Sequence, residues 1–261
     1  MNLKMTPSAP RRLKEAIENQ ELALHYQPIV DLRTRKPVSA EALIRWKNPK
    51  DHEEKANELS GESEKSQAMF KLEDWTMRTA CEDAVRWQRT HPGVKLNLNL
   101  SAREFQCEDL IDRLAGVFGD TGIEPHRVHL EITESASIAD PERAAKILWE
   151  LKERGLELWL DDFGTGHSSL QWLKTFPIDG LKIPGAFVCD IETDPKCDVI
   201  VGAIMTMAHA LDLAVVAEGV ETEKQLERLV KHGCDLIQGF YFFKPMPAEE
   251  MIEVLGKKRD G

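Results

Sequence analysis

Six residues with hard oxygen donors stand at the ends of five apolar segments. Glu41 follows Val38-Ser39-Ala40, Asn99 lies in Leu96-Asn97-Leu98-Asn99-Leu100, and Glu131 follows Val128-His129-Leu130. Asp161-Asp162 follow Leu158-Trp159-Leu160, and Glu218 follows Val215-Val216-Ala217. A charge inside an apolar run is costly unless it is paired or used. The five carboxylates, brought together, would carry about −5 and raise one another's pKa. Two divalent cations and the amine of Lys182 would bring that sum to zero. Carboxylate and amide oxygens, without thiolates or a histidine cluster, select Mg²⁺ or Mn²⁺ over zinc or copper. The vicinal Asp161-Asp162 pair suits two ions, one carboxylate bridging while its neighbour holds the second. Such a pair of ions activates water and stabilises both apical oxygens of an in-line phosphoryl displacement.

Taken singly, each residue has a plainer role. A Glu after a strand commonly caps a helix or sits solvated in a loop, and Asn99-Leu100-Ser101 can simply open a turn. Lys182 alone reads as a snorkelling lysine at a strand end, and Gln238 before Gly239 as a satisfied barrel amide. The recurrence at strand after strand turns the reading toward a shared site.

The elements that would position these groups follow from hydrophobic pattern. Apolar alternation or short β-branched runs recur at 22–30, 37–46, 94–100, 126–132, 156–162, 178–183, 213–218 and 235–242. Helical patterns lie between most of them. Asp140-Pro141 opens one with Ala144, Ile147, Leu148 and Leu151 on a single face and Gly155 past its end. Thr222 and Gln225 form a capping box for another, with Leu226, Leu229 and Val230 inward and Gly233 after it. Strands alternating with helices imply parallel pairing, and eight such units imply an α/β fold closed as a (β/α)₈ barrel. Its C-terminal strand ends converge on one mouth. The first connection, about six residues, is too short for a helical crossover, so the first strand runs antiparallel. The polar, Glu-rich stretch 50–65 is expected to lie as a loop or short helix over one mouth. The organisation expected is a helical lead-in over 1–20, a single barrel over 21–256 and a tail over 257–261.

Composition narrows the partners. The 261 residues carry 34 basic against 45 acidic side chains, a formal charge of −11. No Lys/Arg block is present, which argues against long nucleic acids and anionic membrane surfaces. The longest uncharged stretch, Val199 to Leu211, falls short of the roughly 20 residues of a membrane span and reads as a buried helix. The N-terminal segment lacks the apolar region of a secretory signal, so a cytoplasmic location is expected. The five cysteines, Cys81, Cys107, Cys189, Cys197 and Cys234, are scattered and odd in number, and read as buried free thiols.

With Glu41-Ala42-Leu43-Ile44-Arg45-Trp46 the chain resembles the EAL family of bacterial cyclic di-GMP phosphodiesterases. The likeness runs from about Leu22 to Met251 through Tyr26-Gln27-Pro28-Ile29-Val30, Asn99-Leu100-Ser101, Glu131-Ile132-Thr133-Glu134, Asp161 to Gly166, Leu181-Lys182-Ile183, Ala217 to Glu221 and Gln238-Gly239. The resemblance implies a barrel whose mouth holds two Mg²⁺ or Mn²⁺ ions and hydrolyses cyclic di-GMP to linear pGpG. It places Glu41, Asn99, Glu131 and Asp161 on the first ion, with Asp161 bridging to a second held by Asp162 and Glu218. Lys182 would orient or polarise the attacking water and Gln238 would support that shell, so that Lys182, Glu218, Glu41 and Asp161 carry the chemistry. Gln27, Leu43, Arg45 and Gln238 would meet substrate, Arg45 by forking onto a phosphate. Glu134 and Glu221 would anchor the loop from Asp162 to Ser169, through which the family links catalysis to homodimer contacts.

The chain departs from the family pattern in three places. Pro184-Gly185 replaces an Asp and a basic residue, Leu59 to Glu64 replaces a phenylalanine-rich segment, and His167 replaces a tyrosine. No proposed metal ligand is lost, which favours an enzyme. The alternatives are a catalytically silent domain that binds cyclic di-GMP or another protein, favoured by the Pro184-Gly185 segment, and a metal-dependent barrel acting on a different phosphodiester.

Overall fold

A computed structural model describes residues 16, 19, 21–47, 67–101, 103–133, 140–165 and 169–257. Eight strands close into one barrel in chain order: β1 (Leu22–Asp31), β2 (Pro37–Trp46), β3 (Lys95–Leu100), β4 (Val128–Thr133), β5 (Glu157–Asp161), β6 (Gly180–Ile183), β7 (Ala214–Ala217) and β8 (Leu236–Ile237). β1 pairs antiparallel with both β2 and β8, and every other ladder is parallel. The fold class and the single antiparallel strand are those expected from the pattern and the short first connection.

The helices are α1 (Gln67–Gln88), α2 (Leu110–Thr121), α3 (Pro141–Glu153), α4 (Ser169–Thr175), α5 (Gly185–Val188), α6 (Pro195–Ala210), α7 (Glu223–Lys231) and α8 (Ala248–Gly256). Local chemistry sets their ends. The Asp140 side chain accepts from Arg143 N–H at the start of α3, and Gly155 beyond its end takes φ 92. Thr222 and Gln225 close the capping box of α7. Among the described residues no helix is long and apolar enough to cross a membrane.

Strand alternation divides the interior. Leu96, Leu98, Leu130, Leu158, Leu160, Leu181 and Val215 face outward into the main core beneath the helices. Ile29, Trp159 and Val216, with Ala214 and Leu236, fill a separate inner cluster across the barrel. Trp159 needs Gly180 beside it, since a Cβ there would stand 2.5 Å from the indole. At the strand starts His129 Nε2 lies 2.8 Å from Glu157, which also pairs with Lys95. Thus charged groups form the barrel floor, apolar side chains the middle, and the acidic set the mouth.

Four expectations are corrected. Strand 235–242 shrinks to Leu236–Ile237, because the chain turns at the mouth: Gln238 N–H donates to Ala217 O at 2.9 Å, and Val220 N–H to Gln238 O at 3.2 Å. There Met246 takes over as the partner of β1, exchanging backbone hydrogen bonds with Tyr26 at 2.7 and 3.0 Å. The stretch Val199 to Leu211, helical as far as Ala210 in α6, buries Val201, Ile204, Met205 and Ala208 but exposes Val199, Ile200 and Leu211, as a helix packed on one side must. Val230 likewise turns outward from α7. Of the cysteines only Cys81 and Cys234 are buried, while Cys189 at the end of α5 is exposed. Most of the lead-in over 1–20, the stretch 50–65, Glu134, His167 and the tail after Lys257 lie outside the described residues.

Gly239 shows how closely the mouth loops meet. A Cβ on it would fall 2.1 Å from Val220 O and 2.3 Å from Val220 N, both backbone atoms that cannot swing aside. Gly239→Ala is expected to lower unfolding free energy by about 1–3 kcal/mol through overpacking, measured by urea denaturation, whereas Gly93→Ala, with open space around it, is expected to be close to neutral.

Candidate metal centre

Alternation brings the acidic residues to one point. Asn97 and Asn99 share the inner face of β3, Glu131 that of β4, Asp161 that of β5 and Lys182 that of β6. Glu41 on β2 stands opposite Gln27 on β1. Glu218 and Gln238 lie just beyond β7 and β8, Glu218 held by its N–H to Ile183 O at 3.0 Å.

The centre of this set is the Lys182 ammonium. Its Nζ donates to Glu218 Oε1 at 2.6 Å, Glu131 Oε2 at 2.9 Å and Glu41 Oε2 at 3.0 Å, with Asp161 Oδ1 at 3.8 Å. Amides hold the buried carboxylates, Asn97 and Gln238 from within and Asn99 from the exposed end of β3. Asn99 Nδ2 donates to Glu41 Oε1 at 2.7 Å, Asn97 Nδ2 to Glu131 Oε1 at 2.7 Å, and Gln238 Nε2 to Glu41 Oε2 at 2.7 Å. Gln238 also donates to Gln27 Oε1 at 3.3 Å, and Gln27 to Phe243 O at 3.2 Å. Asn97 was not among the residues singled out by sequence. The signal was present, since it lies two positions before Asn99 on the same face.

The outer half is open to solvent. Asp161, Asp162 and Glu218 present carboxylate oxygens within 4.8 Å of one another. Asp162 reaches this arrangement through a left-handed backbone, φ 54, a conformation that Asp tolerates better than most residues. Its N–H donates to Asp161 Oδ1 at 2.9 Å, and Phe163 N–H ties the turn to Lys182 O at 3.2 Å.

Crowding sets the protonation pattern. Burial, and then the Glu41 charge, holds Glu131 well above the usual carboxylate range, against the pull of Lys182. Burial pushes Glu218 up to about 7, with Asp161 and Glu41 adding to the effect and Lys182 opposing it. Burial and the adjoining Asp161 also raise Asp162. Burial would raise Glu41 as well, but Lys182 and hydrogen bonds from Gln238 and Asn99 bring it below its ordinary value. Lys182 is raised despite burial, because the surrounding carboxylates outweigh desolvation, so it remains protonated. One ammonium serves four of the five carboxylates, and burial with like charge raises the proton affinity of Glu131, Glu218 and Asp162. The donor set is therefore short of positive charge, and its oxygens fit hard divalent cations.

The other predicted residues fall into place unevenly. Gln27 and Gln238 join the buried polar layer. Leu43 and Arg45 continue the inner face of β2 beyond Glu41, Arg45 half-buried with Nη1 3.4 Å from Ile44 O. Glu221 is exposed and enters only through its N–H, which donates to Gln225 Oε1 at 2.7 Å.

This geometry defines an α/β barrel with an acidic, cation-seeking mouth at its C-terminal strand ends. A model of the EAL domain matches residues 10–245, and the chain belongs to the EAL domain family. It is 40% identical over 243 residues to the signaling protein YkoW of Bacillus subtilis, covering 93% of this chain and 30% of that protein. It is 36% identical over 241 residues to the bifunctional diguanylate cyclase/cyclic di-GMP phosphodiesterase MucR of Pseudomonas aeruginosa, covering 92% and 35%. The chain thus spans about a third of the length of these curated relatives. Among solved structures it is similar to the EAL enzyme Bd1971, with TM-score 0.90 and 30% identity over 95% of this chain and 68% of that one. It is also similar to the MucR phosphodiesterase in complex with cyclic di-GMP, with TM-score 0.86 and 35% identity over 94% and 100%. The family therefore includes cyclic di-GMP phosphodiesterases.

Two outcomes follow for the metal-free protein. Glu131 and Glu218 bind protons more tightly folded than unfolded, so their contribution to stability is full at low pH and is lost as pH rises above the ordinary carboxylate range, for Glu218 through about 7. Thermal unfolding followed from pH 5 to 8 is expected to show that decline, and saturating Mn²⁺ to flatten it. Lys182→Met is expected to cost about 3–5 kcal/mol by leaving buried carboxylates without their cation, with part of the loss restored by Mn²⁺ in denaturant titrations.

Proposed function

We propose that this domain hydrolyses one phosphodiester of cyclic di-GMP to linear pGpG, using two bound Mg²⁺ or Mn²⁺ ions. The observation that carries the reading is the acidic mouth itself, in which four carboxylates converge on a single buried ammonium and a fifth, Asp162, joins Asp161 and Glu218 at the rim. Glu41, Asn99, Glu131 and Asp161 would hold the first ion, and Asp161, Asp162 and Glu218 the second. Bound there, the ions supply an activated water and charge stabilisation for the attacking and leaving oxygens.

The remaining roles fall to side chains. Lys182, locked in its protonated form by its carboxylate neighbours, donates hydrogen bonds and orients the attacking water; it does not accept the proton. Glu41 is held in its ionised form by Lys182, Gln238 and Asn99, so it is preset as a ligand. Gln238 fixes both Glu41 and Gln27, coupling the deep ligand to the wall of the substrate cleft. Arg45, farther out on β2, is placed to fork onto a phosphate, and Leu43 to meet the nucleotide's apolar surface. The cyclic dinucleotide complex of the MucR phosphodiesterase supports the substrate class. Two copies are expected to associate beside the segment following Asp162, where Trp149 of α3 and Leu170 of α4 are exposed.

Pro184-Gly185 has a structural account. Gly185 lies against the loop after β7, where a Cβ on it would stand 3.6 Å from Gly219 Cα, and a Cβ on Gly219 would stand 3.1 Å from Gly185 Cα. The loops after β6 and β7 meet at these two glycines, where a Cβ would be tight on Gly219 and tolerated on Gly185, and Glu218 N–H ties them by donating to Ile183 O at 3.0 Å.

The test is chromatographic: purified protein with cyclic di-GMP and Mg²⁺ or Mn²⁺ is expected to yield pGpG, and EDTA to abolish it. Asp161→Asn and Glu41→Ala are each expected to lower turnover by more than about 100-fold with the fold retained by circular dichroism. Near-native hydrolysis by either variant would overturn the metal assignment. Calorimetric binding without product would make the domain a receptor.

A further inference from the structure

The turn that follows β3 carries a charged cluster that the proposed chemistry does not use. Ser101 stands two residues beyond Asn99 and opens a capping box with Glu104. Glu104 N–H donates to Ser101 Oγ at 3.2 Å, and Ser101 N–H donates to Glu104 Oε2 at 3.0 Å. Glu73 of α1 approaches the same hydroxyl, with Oε1 2.9 Å from Ser101 Oγ, while its Oε2 accepts from Arg103 Nη2 at 2.6 Å. Glu104 Oε2 lies 3.1 Å from that Oγ. Glu104 is 2% exposed, so its charge state matters.

A hydroxyl has one hydrogen and two lone pairs. Ser101 Oγ therefore cannot donate to both carboxylates. The contacts close if Glu104 carries a proton: its O–H and its backbone N–H then fill the two lone pairs of Oγ, and the hydroxyl hydrogen goes to Glu73. The charges around Glu104 favour this arrangement. Burial, then the Glu73 charge, pushes its carboxyl up to about 7, opposed by Ser101's hydrogen bonds and by Arg113 of α2, whose Nη2 is 3.8 Å from Oε1. Arg103, in the turn itself, is engaged with Glu73 and stacks over Phe70 at 3.5 Å.

We infer that Glu104 is a positioning residue for the metal centre: it clamps Ser101, fixes the end of β3, and so holds Asn99 against Glu41. The inference rests on the reading of Asn99 as a metal ligand. Glu104 touches neither ion nor substrate and acts only through the strand end. As the neutral acid it completes the clamp. Once ionised, two carboxylates face one hydroxyl and the turn loosens.

The experiment titrates metal-free protein with Mn²⁺ by calorimetry at pH 6 and pH 8, for wild type, Glu104→Gln and Glu104→Ala. Glu104→Ala is expected to weaken Mn²⁺ binding about tenfold at pH 6 and by a smaller factor at pH 8, where wild type has itself lost the neutral clamp. Glu104→Gln, whose amide donates to Ser101 Oγ without ionising, is expected to match wild type at pH 6 and to bind several-fold tighter than wild type at pH 8. A folded Glu104→Ala with unchanged affinity, or a Glu104→Gln whose pH dependence runs parallel to wild type, overturns the inference. Absence of Mn²⁺ binding by wild type would overturn the metal reading instead. The clamp is then judged by metal-free unfolding, where Glu104→Gln must exceed wild type in midpoint at pH 8 but not at pH 6.

Discussion

Everything at the barrel mouth is organised around a buried lysine. Lys182 Nζ sits within 4 Å of Glu41, Glu131, Asp161 and Glu218, contributed by four different segments of the chain. An ammonium with 1% side-chain exposure is tolerated only because those carboxylates surround it, and they can approach one another only because it lies between them. Neither side is stable alone. The barrel has therefore to close in register before the cluster exists, which makes the site a property of the whole sheet and not of any one loop.

The layered interior explains why that cluster stands at one end. Beneath it Trp159, Ile29 and Val216 fill the barrel and exclude water from the underside of the carboxylates. Glu131 and Lys182 are consequently almost wholly removed from solvent, whereas Asp161, Asp162 and Glu218 face the opening. The deep carboxylates Glu41 and Glu131 are fixed by amides from Asn97, Asn99 and Gln238. The outer ones are held by backbone geometry, through the left-handed turn at Asp162 and the ladder bond of Glu218. Rigidity is thus supplied by side-chain hydrogen bonds below and by main-chain hydrogen bonds above.

Much of this was legible in the residues. Acidic side chains at the ends of β-branched runs marked the mouth, because a charge in such a position must be used or paired. The short first connection implied the antiparallel β1, and Thr222 with Gln225 implied the start of α7. What escaped was information carried by other segments. The early end of β8 depends on Met246 replacing it beside β1, which no pattern within 235–242 encodes. The outward face of α6 carries Val199 and Ile200, so an apolar stretch looked buried all round when only one side meets the barrel. Asn97 alternates with Asn99 and so points inward, but its bond to Glu131 of the neighbouring strand is a contact that no pattern within β3 encodes.

The two halves of the site also suggest how cations and Lys182 share the carboxylates. Glu41 and Glu131 each divide their oxygens, one toward an amide and one toward Lys182. Asp161 is the most distant of the four from Nζ, at 3.8 Å, and Asp162 receives no bond from it at all among the hydrogen bonds and ion pairs described. The ammonium therefore neutralises Glu41, Glu131 and Glu218 more completely than Asp161 and Asp162. Uncompensated negative charge is greatest around Asp161 and Asp162, where solvent has access, since Glu218 is itself paired with Lys182 at 2.6 Å. A cation entering from the mouth meets that charge first.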